Sequence, residues 1–301
     1  MIERLDKMRE KKEKKLAQSR KNKVNKVVVN KIIPFSSIDG PGNRTVIFLQ
    51  GCNFDCLYCH NPETINICNN CGRCVPSCPT NALDITNGKV SWEKELCVAC
   101  DKCIKICERD SSPRVKKRSV KQILKEIEKS KAFISGITVS GGEASLQADF
   151  LHDLFYEVKK KGLSTFLDTN GSILLEEKSG LLKYLDMAMI DAKSFSSKEH
   201  QRLTGKGNNN VIQNIKFMAK IDKLYEVRTV IVPDELNNNY NVDKISSLLG
   251  KIAPEVRYKL IKYRPVGVRT DRIDSSIPKD EYMEKMSQIA VSNGCQNVVL
   301  V

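Results

Sequence analysis

Eleven of the twelve cysteines fall between Cys52 and Cys107, and that crowding limits what the chain can become. Gaps of two or three residues within each group suit thiolates converging on a metal centre better than cross-links between separate elements. The N-terminus carries no apolar segment behind its basic residues, so an exported, disulfide-built protein is not expected. Cys295 stands apart and reads as a small hydrophobe near the last helix.

The first group is Cys52-x3-Cys56-x2-Cys59. Three thiolates suit iron–sulfur chemistry or zinc, and a cubane held by only three cysteines leaves one iron open to a substrate. The second group, Cys68-x2-Cys71-x2-Cys74-x3-Cys78, recurs as Cys97-x2-Cys100-x2-Cys103-x3-Cys107, every cysteine displaced by 29 residues. These paired runs resemble bacterial two-cluster ferredoxins. The resemblance implies crossed ligation: Cys68, Cys71, Cys74 and Cys107 on one [4Fe–4S] cluster, and Cys97, Cys100, Cys103 and Cys78 on the other. Zinc is the rival metal, and a redox-silent scaffold is the rival to an electron relay. The stretch from Cys59 to Ser119 is too long for an ordinary connection and reads as an inserted module over residues 64–112.

At 301 residues the chain can bury one large domain carrying a smaller insert. No apolar run reaches membrane-spanning length, so a cytoplasmic protein with no membrane partner is expected. The net charge of +14 is uneven, because residues 1–26 hold 11 Lys/Arg against 4 Asp/Glu. Three oxidised clusters would lower the total to about +9. A basic arm without aromatic residues does not read as an RNA-binding element, and nucleic acid is not expected as a partner.

Beyond the arm, alternating patterns predict strands at 44–49, 134–139, 164–168, 187–191, 224–232, 258–263 and 297–301. Helices are predicted at 120–130, 150–161, 174–182, 211–220, 242–249 and 279–291. This alternation gives an α/β chain with a parallel sheet over residues 27–301. Polar groups gather where the strands end: Gly51 with the first cysteines, Ser140-Gly141-Gly142-Glu143, Asp168-Thr169-Asn170-Gly171, Asp191-Ala192-Lys193 and Tyr263-Arg264-Pro265. In a parallel barrel such ends share one face.

The array at Cys52, Cys56 and Cys59, with Tyr58 before the last cysteine, resembles the radical S-adenosylmethionine (SAM) signature, and Gly141-Gly142-Glu143 resembles that family's segment for the cofactor's ammonium group. Asp39-Gly40-Pro41-Gly42-Asn43-Arg44 narrows the resemblance to the activating enzymes of glycyl radical enzymes, the pyruvate formate-lyase activase type. It implies a partial (β/α)6 barrel of TIM-like kind bearing the ferredoxin-like module. The implied reaction is reductive cleavage of adenosylmethionine to a 5'-deoxyadenosyl radical, which abstracts hydrogen from a backbone glycine of a partner glycyl radical enzyme.

The same resemblance implies Asp168, Thr169, Met189 and Asp191 around a monovalent cation, and Asp191 or Lys193 near the substrate glycine. Arg264 stands where related activases carry histidine, and would keep a donor near the cofactor. The expected cofactors are three [4Fe–4S] clusters and adenosylmethionine. A flavodoxin or ferredoxin-type reductant, oxygen-protected conditions and a monomer when free complete the expectation. Rival readings are a radical SAM maturase or small-molecule enzyme, and a multi-cluster electron-transfer protein.

Overall fold

The computed structural model describes residues 25–301; all but the last two residues of the expected basic arm lie outside them. The chain opens with β1 (Lys26–Ser36) and β2 (Arg44–Leu49), paired antiparallel. Sequence reading passed over β1, although Val27, Val28, Val29, Ile32 and Ile33 supply the β-branched content that favours a strand. After β2 comes the cysteine-rich stretch, containing the hairpin β3 (Leu83–Thr86) and β4 (Lys89–Trp92) and the single turn α1 (Lys102–Lys105).

The chain enters and leaves this stretch at one neck. Asn66 and Ser111 form an isolated bridge, Asn66 N donates to Asp110 O at 3.1 Å, and Asn66 Nδ2 donates to Arg109 O at 2.7 Å. It then returns through β5 (Lys116–Ser119), which pairs antiparallel with β1.

Strand and helix alternate from there: α2 (Val120–Ser130), β6 (Gly136–Gly141), α3 (Ala148–Lys159), β7 (Ser164–Thr169), α4 (Ser179–Leu182) and β8 (Met187–Asp191). Then follow α5 (Ser197–Thr204), α6 (Asn209–Lys220), β9 (Leu224–Ile231), α7 (Asn238–Ile252), β10 (Arg257–Lys262), α8 (Asp280–Ser292) and β11 (Val298–Leu300). A capping box starts α2: Ser119 Oγ accepts from Gln122 N, and Gln122 Oε1 accepts from Ser119 N at 2.9 Å. Two otherwise orphaned N–H groups are thereby satisfied. Ile123 and Ile127, one turn apart on α2, are fully buried.

The nine strands form one sheet in the order β11-β10-β9-β8-β7-β6-β2-β1-β5. From β2 to β11 every neighbouring pair is parallel, as the alternation predicted. β5 and β11 are the two edges, so the sheet is open. Helices cover one face, and the main hydrophobic core lies between them and alternate strand residues such as Ile47, Val139, Leu167, Ile190 and Val227. The intervening residues face the other way, and near the strand ends they line a cavity. No helix among the described residues is long and apolar enough to cross a membrane.

Candidate active site

That cavity, about 870 Å³, is bordered by Cys52, Cys56 and Cys59, by Ser140 to Glu143, by Asp168 to Asn170, and by Asp191 and Lys193. Residues distant in sequence meet there because β2, β6, β7 and β8 run parallel and end together.

Backbone contact holds the cysteine loop against the end of β6. Gly142 N donates to Leu49 O at 3.0 Å and Glu143 N to Gly51 O at 2.8 Å, while Cys52 N donates to Ile65 O at 2.8 Å. A Cβ on Gly142 would stand 2.2 Å from Gly51 O, and one on Gly141, whose φ is +97°, would stand 2.2 Å from Leu49 N. Two glycines are therefore a steric requirement of this crossing. Gly142→Ala is expected to displace the Gly51 carbonyl, cost about 1–3 kcal/mol and lower the iron retained by the adjacent cysteines, measurable as iron per chain after reconstitution.

From the other side, Asp55 N and Leu57 N donate to Thr204 O and Leu203 O at the end of α5. Phe54 packs edge-on against buried His200, whose Nδ1 lies 2.7 Å from Lys206 O. His200 thus organises the loop.

Burial pushes the Cys52 thiol up to about 11 and the Cys56 thiol to about 12, and raises Cys59 too. A cationic centre would reverse that balance and stabilise the thiolates. Among the described residues no three His, Cys, Asp or Glu side chains are set to hold a single metal ion. Three thiols spread around a cavity fit a polynuclear cluster better. Cys52 Sγ also has donors: Phe54 N at 3.4 Å and Asn170 Nδ2 at 3.8 Å. Asn170 was not singled out from sequence.

Glu143 is buried and fully engaged. Its Oε1 accepts from Ser145 N at 2.9 Å and Thr169 Oγ1 at 2.6 Å, and its Oε2 from Asn170 N at 2.6 Å. Burial raises its pKa against these donors.

Next to it runs a chain of alternating charge. Ser140 Oγ donates to Asp168 Oδ2 at 2.7 Å, and Arg228 on β9 reaches both Asp168 Oδ1 and, at 2.7 Å, Asp191 Oδ1. Lys193 Nζ donates to Asp191 Oδ2 at 3.0 Å and lies 5.6 Å from the Tyr58 ring centre. Burial raises Asp168. At Asp191 burial also opposes ionisation, but Arg228 and Lys193 overcome it and hold the carboxyl at about 2. Tyr58 Oη is buried without a partner, an unsatisfied group facing a cavity that could accept a ligand.

Met189 is wholly buried on β8, paired in register with Asp168. Arg264 is exposed and outside the cavity lining, which the same segment reaches instead with Gly267, Val268 and Arg269. Arg269 donates to Asp55 Oδ1 and Asp110 Oδ2, both at 2.6 Å, and to Cys56 O at 2.9 Å. It ties the C-terminal segment, the cysteine loop and the neck together, and sequence reading did not identify it.

Within the insert, one cavity is lined by Cys68, Cys71, Cys74, Cys103 and Cys107. A second is lined by Cys78, Cys97, Cys100 and Cys103. Trp92 stands on the wall of the second.

The 4Fe-4S single cluster domain family matches residues 38–215. The (2S)-3-sulfopropanediol sulfolyase activating enzyme of Bilophila wadsworthia is 30% identical over 80% of this chain and 86% of its own. The isethionate sulfite-lyase activating enzyme of Desulfovibrio desulfuricans is 28% identical over 91% of this chain and 94% of its own. Among solved structures, a radical SAM methyltransferase from Sphaerobacter thermophilus shares the fold with a TM-score of 0.54, at 10% identity over 86% of this chain and 66% of that one. An α/β sheet with a 4Fe-4S-binding domain at its strand ends defines a radical SAM protein. The chain belongs to the glycyl-radical-enzyme activating enzymes of that family, and is an oxidoreductase of the activase type.

Proposed function

We propose that the chain activates a partner glycyl radical enzyme by radical SAM chemistry at the 870 Å³ cavity. The convergence of three thiols, Glu143 and the Asp168–Arg228–Asp191–Lys193 chain on one cavity carries this reading. Cys52, Cys56 and Cys59 would hold a [4Fe–4S] cluster with an open iron. When bound, the cluster and adenosylmethionine supply reductive carbon–sulfur cleavage and the 5'-deoxyadenosyl radical that takes hydrogen from a backbone glycine of the partner.

The chain's own residues bind and orient. Glu143, fixed by three donors, directs its negative charge at the cofactor's ammonium group. Lys193, on the cavity wall, offers positive charge to its carboxylate, Arg228 holds Asp168 and Asp191 in place, and Gly141 and Gly142 let the backbone approach. The Tyr58 ring and hydroxyl close the wall beside Lys193, keeping water from the radical. Asp168, Thr169, Met189 and Asp191 are the residues that would hold a monovalent cation. The Asp168 and Asp191 carboxylates and the Thr169 hydroxyl suit a hard ion, to which Met189 could give only its backbone carbonyl; the ion would share the two carboxylates with Arg228.

The open sheet fits a partial (β/α)6 barrel, and the neck at Asn66 and Ser111 fits the insert at 64–112. Cys68, Cys71, Cys74 and Cys107 lining one insert cavity, and Cys78, Cys97 and Cys100 the other, with Cys103 common to both, support two auxiliary clusters, with a flavodoxin or ferredoxin-type reductant as electron source. Cys100→Ala is expected to remove about four of about twelve irons per chain while sparing the cluster at Cys52, as iron analysis and Mössbauer spectra would register.

Anaerobically reconstituted protein, reduced with dithionite and given adenosylmethionine, should release 5'-deoxyadenosine. With its partner it should generate a glycyl radical visible by electron paramagnetic resonance. A fully loaded, reduced sample yielding no deoxyadenosine would overturn the reading. Deoxyadenosine without a glycyl radical, across candidate partners, would favour a maturase or small-molecule enzyme.

A further inference from the structure

Arg114 borders two cavities at once, the one lined by Cys78, Cys97, Cys100 and Cys103 and the large one above Cys52, Cys56 and Cys59. Its Nη2 donates to Asp101 Oδ1 at 2.5 Å. The Arg114 side chain is 19% exposed, against 53% for Asp101, so the cation is the better shielded of the two. Arg114 and Asp101 both line the cavity that holds Cys97.

The internal repeat gives this pair no charged counterpart in the first half of the module. A displacement of 29 residues places Gly72 opposite Asp101 and Ile85 opposite Arg114, just as it places Cys68 opposite Cys97. Gly72 and Ile85 are also neighbours: a Cβ on Gly72 would meet Ile85 Cδ1 at 2.8 Å. The first half-repeat therefore makes the same contact with apolar atoms, and the fold of the unit does not need an ion pair there. The first cavity has its own arginines, Arg73 and Arg109, but Arg73 is 58% exposed and paired with Glu108.

We infer that Arg114 is a positioning residue that raises the reduction potential of a cluster held by Cys78, Cys97, Cys100 and Cys103, with Asp101 as its partial counter-charge. The inference rests on the two-cluster reading of the insert. A one-electron reduction adds negative charge to the cluster, and a half-buried guanidinium beside a ligand sulfur stabilises the reduced form with little screening by salt. Asp101, more exposed, offsets part of that field. Lys102 lines the same cavity and is left unchanged in the variants.

The test is a potentiometric titration of reconstituted full-length protein, followed by electron paramagnetic resonance, on wild type, Arg114→Gln, Arg114→Lys and Asp101→Asn, each with its iron content. Arg114→Gln should lower the potential of one insert cluster by at least a tenfold change in its reduction equilibrium, about 59 mV for one electron. Arg114→Lys should restore most of the shift, and Asp101→Asn should move the same signal the opposite way. Unchanged potentials in fully loaded variants, or Arg114→Gln and Asp101→Asn shifting in the same direction, would overturn the inference. If Arg114→Gln fails to retain iron, the sign of the Asp101→Asn shift decides. Wild type holding only about four irons would overturn this inference together with the two-cluster reading. About twelve irons without deoxyadenosine would instead count against the activase reading alone.

Discussion

Cys56→Ala is expected to abolish 5'-deoxyadenosine formation to the background of the reagents, with loss of about four of about twelve irons per chain. Cys56 is the most buried of the three thiols in its loop, at 7% exposure, and the loop backbone on both sides is tied down by α5 and by Arg269. Alanine leaves two thiols for a cluster that already has only three, whereas the insert cavities keep their full cysteine sets. Loss of turnover with the insert irons retained is the pattern expected of a ligand. Full activity in the variant would refute the assignment.

Arg228→Gln is the second large effect. Arg228 is 14% exposed and is shared by Asp168 and Asp191, so its removal leaves two partly buried carboxylates facing each other with Lys193 and the Ser140 hydroxyl to compensate. Breaking such a pair costs about 3–5 kcal/mol. In the wild type Asp191, held at about 2, contributes stability that is present above the unfolded carboxylate pKa and is lost only as pH falls towards 2. In the variant at least one carboxyl should titrate above its unfolded value. That contribution has the opposite sign: it is present at low pH and lost as pH rises through the raised pKa. Urea midpoints should therefore rise from pH 7 to pH 5 in the variant relative to the wild type, and adenosylmethionine binding at pH 7 should weaken at least tenfold. A variant with wild-type midpoints at both pH values would show that the carboxylates do not depend on Arg228.

How much of this was legible in the sequence follows from how local each signal is. The cysteine groups are short-range patterns, and β2 and β8 have the predicted bounds because apolar runs end at turn-forming or polar residues. β5, by contrast, is the charged segment Lys116–Ser119; it is a strand because β1 offers it an edge, a fact absent from its composition. Of the predicted helix over 174–182 only Ser179–Leu182 forms: Asn214 on α6 takes Leu175 N and Ile173 O into bonds with its side-chain amide. Arg228 reads in isolation as an ordinary strand charge. Only the β7-β8-β9 order brings it to carboxylates 60 and 37 residues away. Arg269 and Asn170 were missed for the same reason, since their roles depend on partners that sequence spacing does not reveal.

The neck at Asn66 and Ser111 bears on how a chain of this design can change over generations. β2 and β6 pair in parallel register across the inserted stretch, which departs and rejoins at the bridge between Asn66 and Ser111. Lengthening a connection closed in this way costs only about 0.6 kcal/mol for each doubling. The cysteine-rich stretch thus behaves as a cassette that can be enlarged, shortened or exchanged while the sheet beneath it is inherited intact.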